Sequence, residues 1–360
     1  MGNFKRAVRE FIAPGSVRHT SIPPLEAGLR PNSRLDEATP ILSSPDAELD
    51  DIVVARERIF VSRGTELAEL LAGNESKVIV DLDGPIGAIR ACGENLVAVV
   101  DGVGLVAVDL DDETSEVVCS DPLVVSCVTD LAVLDDGSFV VAIGSANYQL
   151  DEWAHSLVNA DITGSLVLVE ANKAETKVDG LAWPAGLEVD GESLLVAESQ
   201  ACQIERRLLS DLSSVEMVIE NTAGYPGRMR KSSIPDKGVW VAVPYMRNRA
   251  VELILSEPKF LEDMQANIEP RLWMVPALRS ENVYRDPLQI GQMRVMGVLK
   301  PWAPPRSYGL AFLLDNNNRV VDSVHSRPDG NRHGVTGVFE TEDGRLLACC
   351  RGGRAILEIS

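Results

Sequence analysis

Basic residues are in short supply. The chain carries 34 Lys+Arg against 54 Asp+Glu, a formal net charge of −20. Like charge repels both a phosphate backbone and an anionic bilayer surface, so neither nucleic acid nor membrane is expected as a partner. Long hydrophobic runs are also missing, and none reaches the roughly 18 residues of a spanning helix. The first residues, MGNFKRAVREFIAPG, lack the apolar core of a secretory leader. Arg6 stands where a myristoylation start wants Ser or Thr. The six cysteines (Cys92, Cys119, Cys127, Cys202, Cys349 and Cys350) follow no C-x-x-C spacing and fall mostly within apolar runs. They read as reduced, small hydrophobes, and the expected compartment is the cytoplasm. No H-E-x-x-H, G-x-S-x-G, Walker or dinucleotide fingerprint occurs in a usable context.

What the sequence does have is a repeat. Six stretches share one pattern of an apolar strand, a turn rich in Asp, Glu or Gly, and a second apolar strand. They begin at Asp50, Ile86, Val128, Ala185, Arg228 and Val335. Short Val/Leu/Ile-rich runs closed by Gly or Asp-Gly are hairpin chemistry. The turn markers Glu57, Gly93, Gly137, Gly191, Gly238 and Gly344 are spaced by 36, 44, 54, 47 and 106 residues. Four of these intervals are single units and the last is doubled. Most units continue into two further strands, such as GLVAVDL from Gly104 and SEVVCSD from Ser115. Six units of four strands predict an all-β fold, a six-bladed β-propeller. The last unit ends at RAILEIS, one strand short, so a strand within residues 17–45 should complete it and close the ring. Residues 1–45 therefore read as an arm with the closing strand, and 46–360 as the propeller.

The doubled interval holds an insertion in blade five, about residues 250–305. Val251, Leu253, Ile254, Phe260, Leu261 and Met264 give it helical periodicity broken at Pro258. An insertion of that length in a compact domain reads as a lid over one mouth of the channel, or as an edge-covering helix. The blade should resume at Tyr308.

The run LAWPAGLEVDGESLLVAESQACQIERRLL, then AGYPGRMRKSSIPDKGVWVAVPYMRN, then the insertion and YGLAFLLDNNNRVVDSVHSRPDG, resembles the strictosidine synthase-like family. That family belongs to a superfamily of six-bladed propellers with gluconolactonases and paraoxonases, and the similarity spans roughly residues 45–360. The resemblance implies a small-molecule active site at one channel mouth. Hydrolytic relatives hold calcium there with a Glu, two Asn and an Asp from four blades. The matching positions fall on Asp50, Thr129, Ala185 and Gly227, of which only Asp50 is a good ligand for a hard cation. No cofactor is expected, and calcium only if other groups rebuild the site. Members that condense an amine with an aldehyde use a Glu in the last blade, and its place falls on or near Thr336.

Arg228 stands beside the lost Asp position, with Arg230 two residues on and on the same face of an extended strand. A guanidinium can hold a carboxylate or oxyanion with two parallel hydrogen bonds. Arg228 partnered by Asp50 or Asp130 is thus a candidate positive element of a metal-free site. His333 is the candidate proton carrier, or an exposed loop histidine. His155 is placed on the same rim, and Tyr225 lies next to the altered ligand turn as a hydrogen-bond donor or a packing residue. Asp50, Asp130, Arg228, His333 and Tyr225 form the expected catalytic set. His155, Arg230, Thr129 and Thr336 are the expected substrate-binding set. Three readings follow: a hydrolase of a lactone or related ester, a non-hydrolytic cyclase, lyase or isomerase, and a binding propeller without turnover.

Overall fold

The computed structural model describes residues 29–280, 306–328 and 330–360, together with the short strands Arg294–Val295 and Val298–Leu299. Its frame is six four-stranded antiparallel sheets. Blade 1 runs from Leu49–Ala55 to Glu75–Asp81, blade 2 from Ile86–Cys92 to Thr114–Cys119, and blade 3 from Val128–Val133 to Lys173–Leu181. Blade 4 runs from Pro184–Asp190 to Asp211–Ile219. Blade 5 is Met229–Lys231, Val239–Ala242, Gly309–Leu314 and Val320–Ser326. Blade 6 starts at Val335–Glu340 and Leu346–Cys350, continues through Ala355–Ile359, and is completed by Thr39–Ser43. That N-terminal strand pairs antiparallel with the C-terminal one, Thr39 opposite Glu358 and Ser43 opposite Ala355. The ring closes as the repeat arithmetic requires.

Each turn marker has the backbone conformation its hairpin demands, with positive φ from 58° at Gly93 to 119° at Gly238. Burial then grades radially. The innermost strand Leu49–Ala55 is buried at every position but one, whereas Lys173–Leu181 at the rim is mostly exposed. Alternating faces of neighbouring sheets interdigitate, giving one apolar core per blade junction. Phe60, Leu67, Ile89 and Leu96 fill the wedge between blades 1 and 2. Leu42, Ile52, Leu347 and Ile356 fill the one between blades 6 and 1, where the ring is sealed.

The six innermost strands neighbour one another in a ring around the channel. In five of the blades, the pairing of this strand with the next slips near its N-terminal end, between Leu49 and Ile52, Ile86 and Ile89, Val128 and Asp130, Pro184 and Gly186, and Val335 and Gly337. A bulge re-aims side chains and breaks strict alternation. Here it lets consecutive residues such as Asp50 and Asp51 both make channel contacts.

The insertion lies between Val239–Ala242 and Gly309–Leu314 and opens with two helices, Arg249–Leu255 and Pro258–Asn267. Pro258 is the first residue of the second helix rather than a break within one, the position where its missing N–H costs nothing. Asn248 caps the first helix by accepting from the Val251 N–H at 2.9 Å. Val251, Leu255, Leu261 and Met264 pack with Trp153 of a blade-3 helix, Trp153–Asn159, in one apolar cluster. No helix among the described residues is long and apolar enough to cross a membrane.

Candidate active site at the channel mouth

At the N-terminal ends of the innermost strands is a cavity of about 100 Å³. Asp50, Thr129, Ala185, Gly227 and Thr336 all line it, so the five positions aligned through the family resemblance converge in space. Blade 4 and blade 5 meet closely here because residue 186 is glycine. A Cβ at that position would lie 2.1 Å from the Gly227 carbonyl oxygen.

Arg228 dominates the floor. Its Nη2 donates to Asp50 Oδ2 at 2.7 Å, its Nη1 to the Asp50 carbonyl at 2.9 Å and its Nε to the Thr129 carbonyl at 3.2 Å. Arg351 grips the other carboxylate oxygen, Nη1 to Oδ1 at 2.9 Å, and its Nε donates to Glu48 at 3.1 Å. Thr336 Oγ1 donates to the Asp50 carbonyl at 2.6 Å, and Thr129 Oγ1 to the Pro184 carbonyl at 2.6 Å. Burial alone would raise the Asp50 pKa, but the charges and hydrogen bonds of Arg228 and Arg351 outweigh it and hold the carboxyl at about 2. Burial works against the charge of Arg228 as well, and Asp50, Asp51 and Asp130 raise its pKa above the ordinary value.

Calcium does not fit these residues. Ala185 and Gly227 have no side-chain oxygen, both Asp50 oxygens are taken by arginines, and the Thr129 hydroxyl is committed to a carbonyl. The guanidinium of Arg228 already uses oxygens from blades 1 and 3 that a cation would need. Among the described residues no group of three or more His, Cys, Asp or Glu is arranged to hold a metal ion.

The upper walls are aromatic. Trp153, Trp183 and Tyr245 line the cavity, with Leu278 of the insertion beside them. Trp153 stacks on Tyr245, ring centroids 3.8 Å apart and planes 11° from parallel. Its indole N–H is buried without an acceptor among the described residues.

Below the floor lies a second ionic layer. Asp51 accepts from Arg230, Nη2 to Oδ2 at 2.5 Å, and from the Ile89 N–H at 3.0 Å. Asp130 accepts from Arg90 Nη2 at 2.7 Å and from the Leu187 N–H at 2.9 Å. Arg90 also reaches Glu188 at 2.9 Å. Neither aspartate side chain is exposed at all.

Of the expected site residues, Asp50, Arg228, Thr129 and Thr336 are on the cavity lining. The partner of Arg228 is Asp50, while Asp130 belongs to the layer below with Arg90. Arg230 pairs with Asp51 and lines the opposite mouth. Tyr225 sits behind the wall, edge-on to Trp153, its hydroxyl donating to Glu252 at 2.8 Å. His155 packs edge-on against Trp273, ring centroids 4.6 Å apart, away from the lining. His333 is a buried histidine rather than an exposed one, its Nδ1 2.8 Å from Ser307 Oγ and its Nε2 2.9 Å from the Arg327 carbonyl. Arg90, Arg351, Asp51 and the aromatic wall were not singled out from the sequence. A charged residue inside an apolar inner strand, as Arg90 is in IGAIRAC, was the available signal.

Solved structures share this fold. A putative gluconolactonase superposes with a TM-score of 0.56 at 10% identity, covering 90% of this chain and 91% of that one. Regucalcin from Agrobacterium tumefaciens strain C58, described as a calcium-binding protein, gives 0.52 at 13%, covering 91% and 92%. A streptogramin B lyase gives 0.52 at 9%, covering 89% and 95%. The chain shares a propeller fold with them, and its own has six blades. At such identities the likeness shows the fold alone. No family model matches the sequence, and no curated protein matches it.

Proposed function

We propose that this propeller is a small-molecule enzyme of the lactonase or lyase kind, a remote relative of the strictosidine synthase-like family, whose site uses a guanidinium where hydrolytic relatives use calcium. The observation that carries the reading is the Arg228–Asp50 pair at the convergence of the matched positions. A guanidinium has five N–H donors. Arg228 spends one each on Asp50 Oδ2, the Asp50 carbonyl and the Thr129 carbonyl, which leaves two for a ligand oxygen. Those N–H groups stabilise the negative charge that develops on an ester carbonyl under attack. Asp50 is the one carboxylate on the described lining and is ionised throughout the neutral range, so it takes the proton of the attacking water. The hydroxide adds to the carbonyl carbon, the ring C–O bond breaks, Asp50 returns the proton to the leaving alkoxide, and the product is a hydroxy acid. Trp153, Trp183 and Tyr245 cover the apolar part of the substrate, and the insertion serves as the lid.

A carboxyl held at about 2 is a weak base. That favours a second reading, binding without turnover. The test is a pH-stat assay of γ- and δ-lactones and simple esters. The proposal expects turnover that Asp50→Asn lowers about 100-fold or more, the range for loss of a general base. Saturable binding with no product would sustain the second reading instead, and elimination products would mark a lyase.

A further inference from the structure

The two mouths of the channel are not alike. At the C-terminal ends of the innermost strands lies a cavity of about 310 Å³, roomier than the first. That is within the roughly 300–1,000 Å³ typical of small-molecule sites. Arg90, Arg230 and Lys231 line it together with one carboxylate, Glu188, and the rest of its lining is apolar, Phe339 and Val54 included.

On the lining itself three cations face one carboxylate, although each cation has a carboxylate partner. Glu188 is already engaged, accepting from Arg90 Nη1 at 2.9 Å and from the Lys231 backbone N–H at 3.0 Å. Asp51 and Asp130 are fully buried behind the arginines and are not on the lining. Arg90 and Arg230 are 8% and 4% exposed, and the Nε of each is buried without an acceptor among the described residues. Lys231 is exposed and reaches Asp190 only at 3.4 Å. The terminal N–H groups of both guanidiniums are engaged, those of Arg90 by Asp130, Glu188 and the Leu187 and Met229 carbonyls, and those of Arg230 by Asp51 and the Met229 and Ile89 carbonyls. The unfilled acceptor requirement on this wall is therefore that of the two Nε groups. Burial and the neighbouring charge of Arg90 pull the Arg230 pKa below its ordinary value, whereas for Arg90 burial is outweighed by Asp130 and Glu188 and the pKa goes up.

We infer that this opposite mouth is a second ligand site, separate from the first, for a small organic carboxylate with an apolar body. The carboxylate would take the arginine–lysine wall, and the apolar body would lie against Phe339 and the valines. Asp51 and Asp130 are on the lining of neither cavity. A bare phosphate would gain nothing from the apolar lining.

The test uses benzoate as the probe and benzamide as its neutral counterpart, followed by calorimetry and ligand-observed NMR on the full chain. Ala91→Trp fills the mouth from an exposed position without touching an ion pair, and Lys231→Glu reverses an exposed charge. Ala185→Trp fills the other cavity instead. The inference expects Ala91→Trp and Lys231→Glu each to weaken benzoate about tenfold or more. Ala185→Trp should leave benzoate binding unchanged, and benzamide should bind about tenfold more weakly than benzoate. No saturable binding up to about 10 mM overturns it, as does benzamide binding as well as benzoate. Loss of benzoate binding in Ala185→Trp alone also overturns it, and in that case assigns the carboxylate to the first cavity. Lactone turnover is a separate readout, so this site and the proposed activity can fail independently.

Discussion

Arg228 crosses the channel from blade 5 to place its Nη2 2.7 Å from Oδ2 of Asp50 on blade 1, and both side chains are about nine-tenths buried. Removing one partner of such a pair strands a charge away from water, which costs about 3–5 kcal/mol. Arg228→Leu and Asp50→Leu should each destabilise by that amount in urea unfolding. The double variant should cost clearly less than the sum. Additive losses would show that the two residues do not act as a pair.

Acid should weaken the same contact in a defined window. The Asp50 pKa is about 2 in the fold against an ordinary value of 3.8, so its contribution is present above 3.8 and is lost as pH falls from there toward 2. The shift corresponds to about 2 kcal/mol. Unfolding free energies of the wild type and Asp50→Asn should converge across this interval. A constant gap from pH 4 to pH 2 would contradict the assignment.

His325 sets a second, higher window. Burial lowers its pKa from 6.5 to about 4, only partly opposed by Asp322. The neutral ring, between Ser323 Oγ at 2.9 Å and Tyr308 Oη at 3.2 Å, belongs to the folded state. Its stabilising effect is therefore full above pH 6.5 and lost as pH falls through 6.5 to 4, by about 3 kcal/mol. His325→Gln should flatten the stability curve between these values. A proton titration of His325 near 6.5 in the folded protein, followed by NMR, would sink this prediction.

Ring closure should be costly to undo. Leu42 is 3% exposed in the wedge that joins blades 6 and 1. Leu42→Ala should destabilise by about 2–5 kcal/mol, and deletion of residues 1–44 should leave Ala355–Ile359 as an open edge prone to association. A truncated chain that unfolds like the wild type and stays monodisperse in sedimentation would show that the strand is dispensable.

The fold was legible because period-2 hydrophobicity and turn chemistry repeat. Gly93, Gly137, Gly191, Gly238 and Gly344 mark hairpins whichever blade they join, and even the closing strand followed from counting. The sequence placed Asp50 at a matched position and Arg228 beside one, and both line the candidate site. The site was not legible where bulges decide direction. Strict alternation cannot show that Asp50 and Asp51 both face the channel, or that Asp130 sits one layer below Thr129. Arg351 enters from the turn after Cys350, and Trp153 from a helix between strands, so neither belongs to the repeat that located the others.

Thermal unfolding of the purified full-length protein, with added calcium and with a chelator, bears most directly on the claim that Arg228 takes the cation's place. The account predicts the same transition in both, and no bound calcium by elemental analysis. A ligand specific to the folded state at 100 times its Kd stabilises by about 2.7 kcal/mol. An upward shift of that size with stoichiometric calcium would contradict the account, since Asp50 would then have exchanged its arginines for a metal.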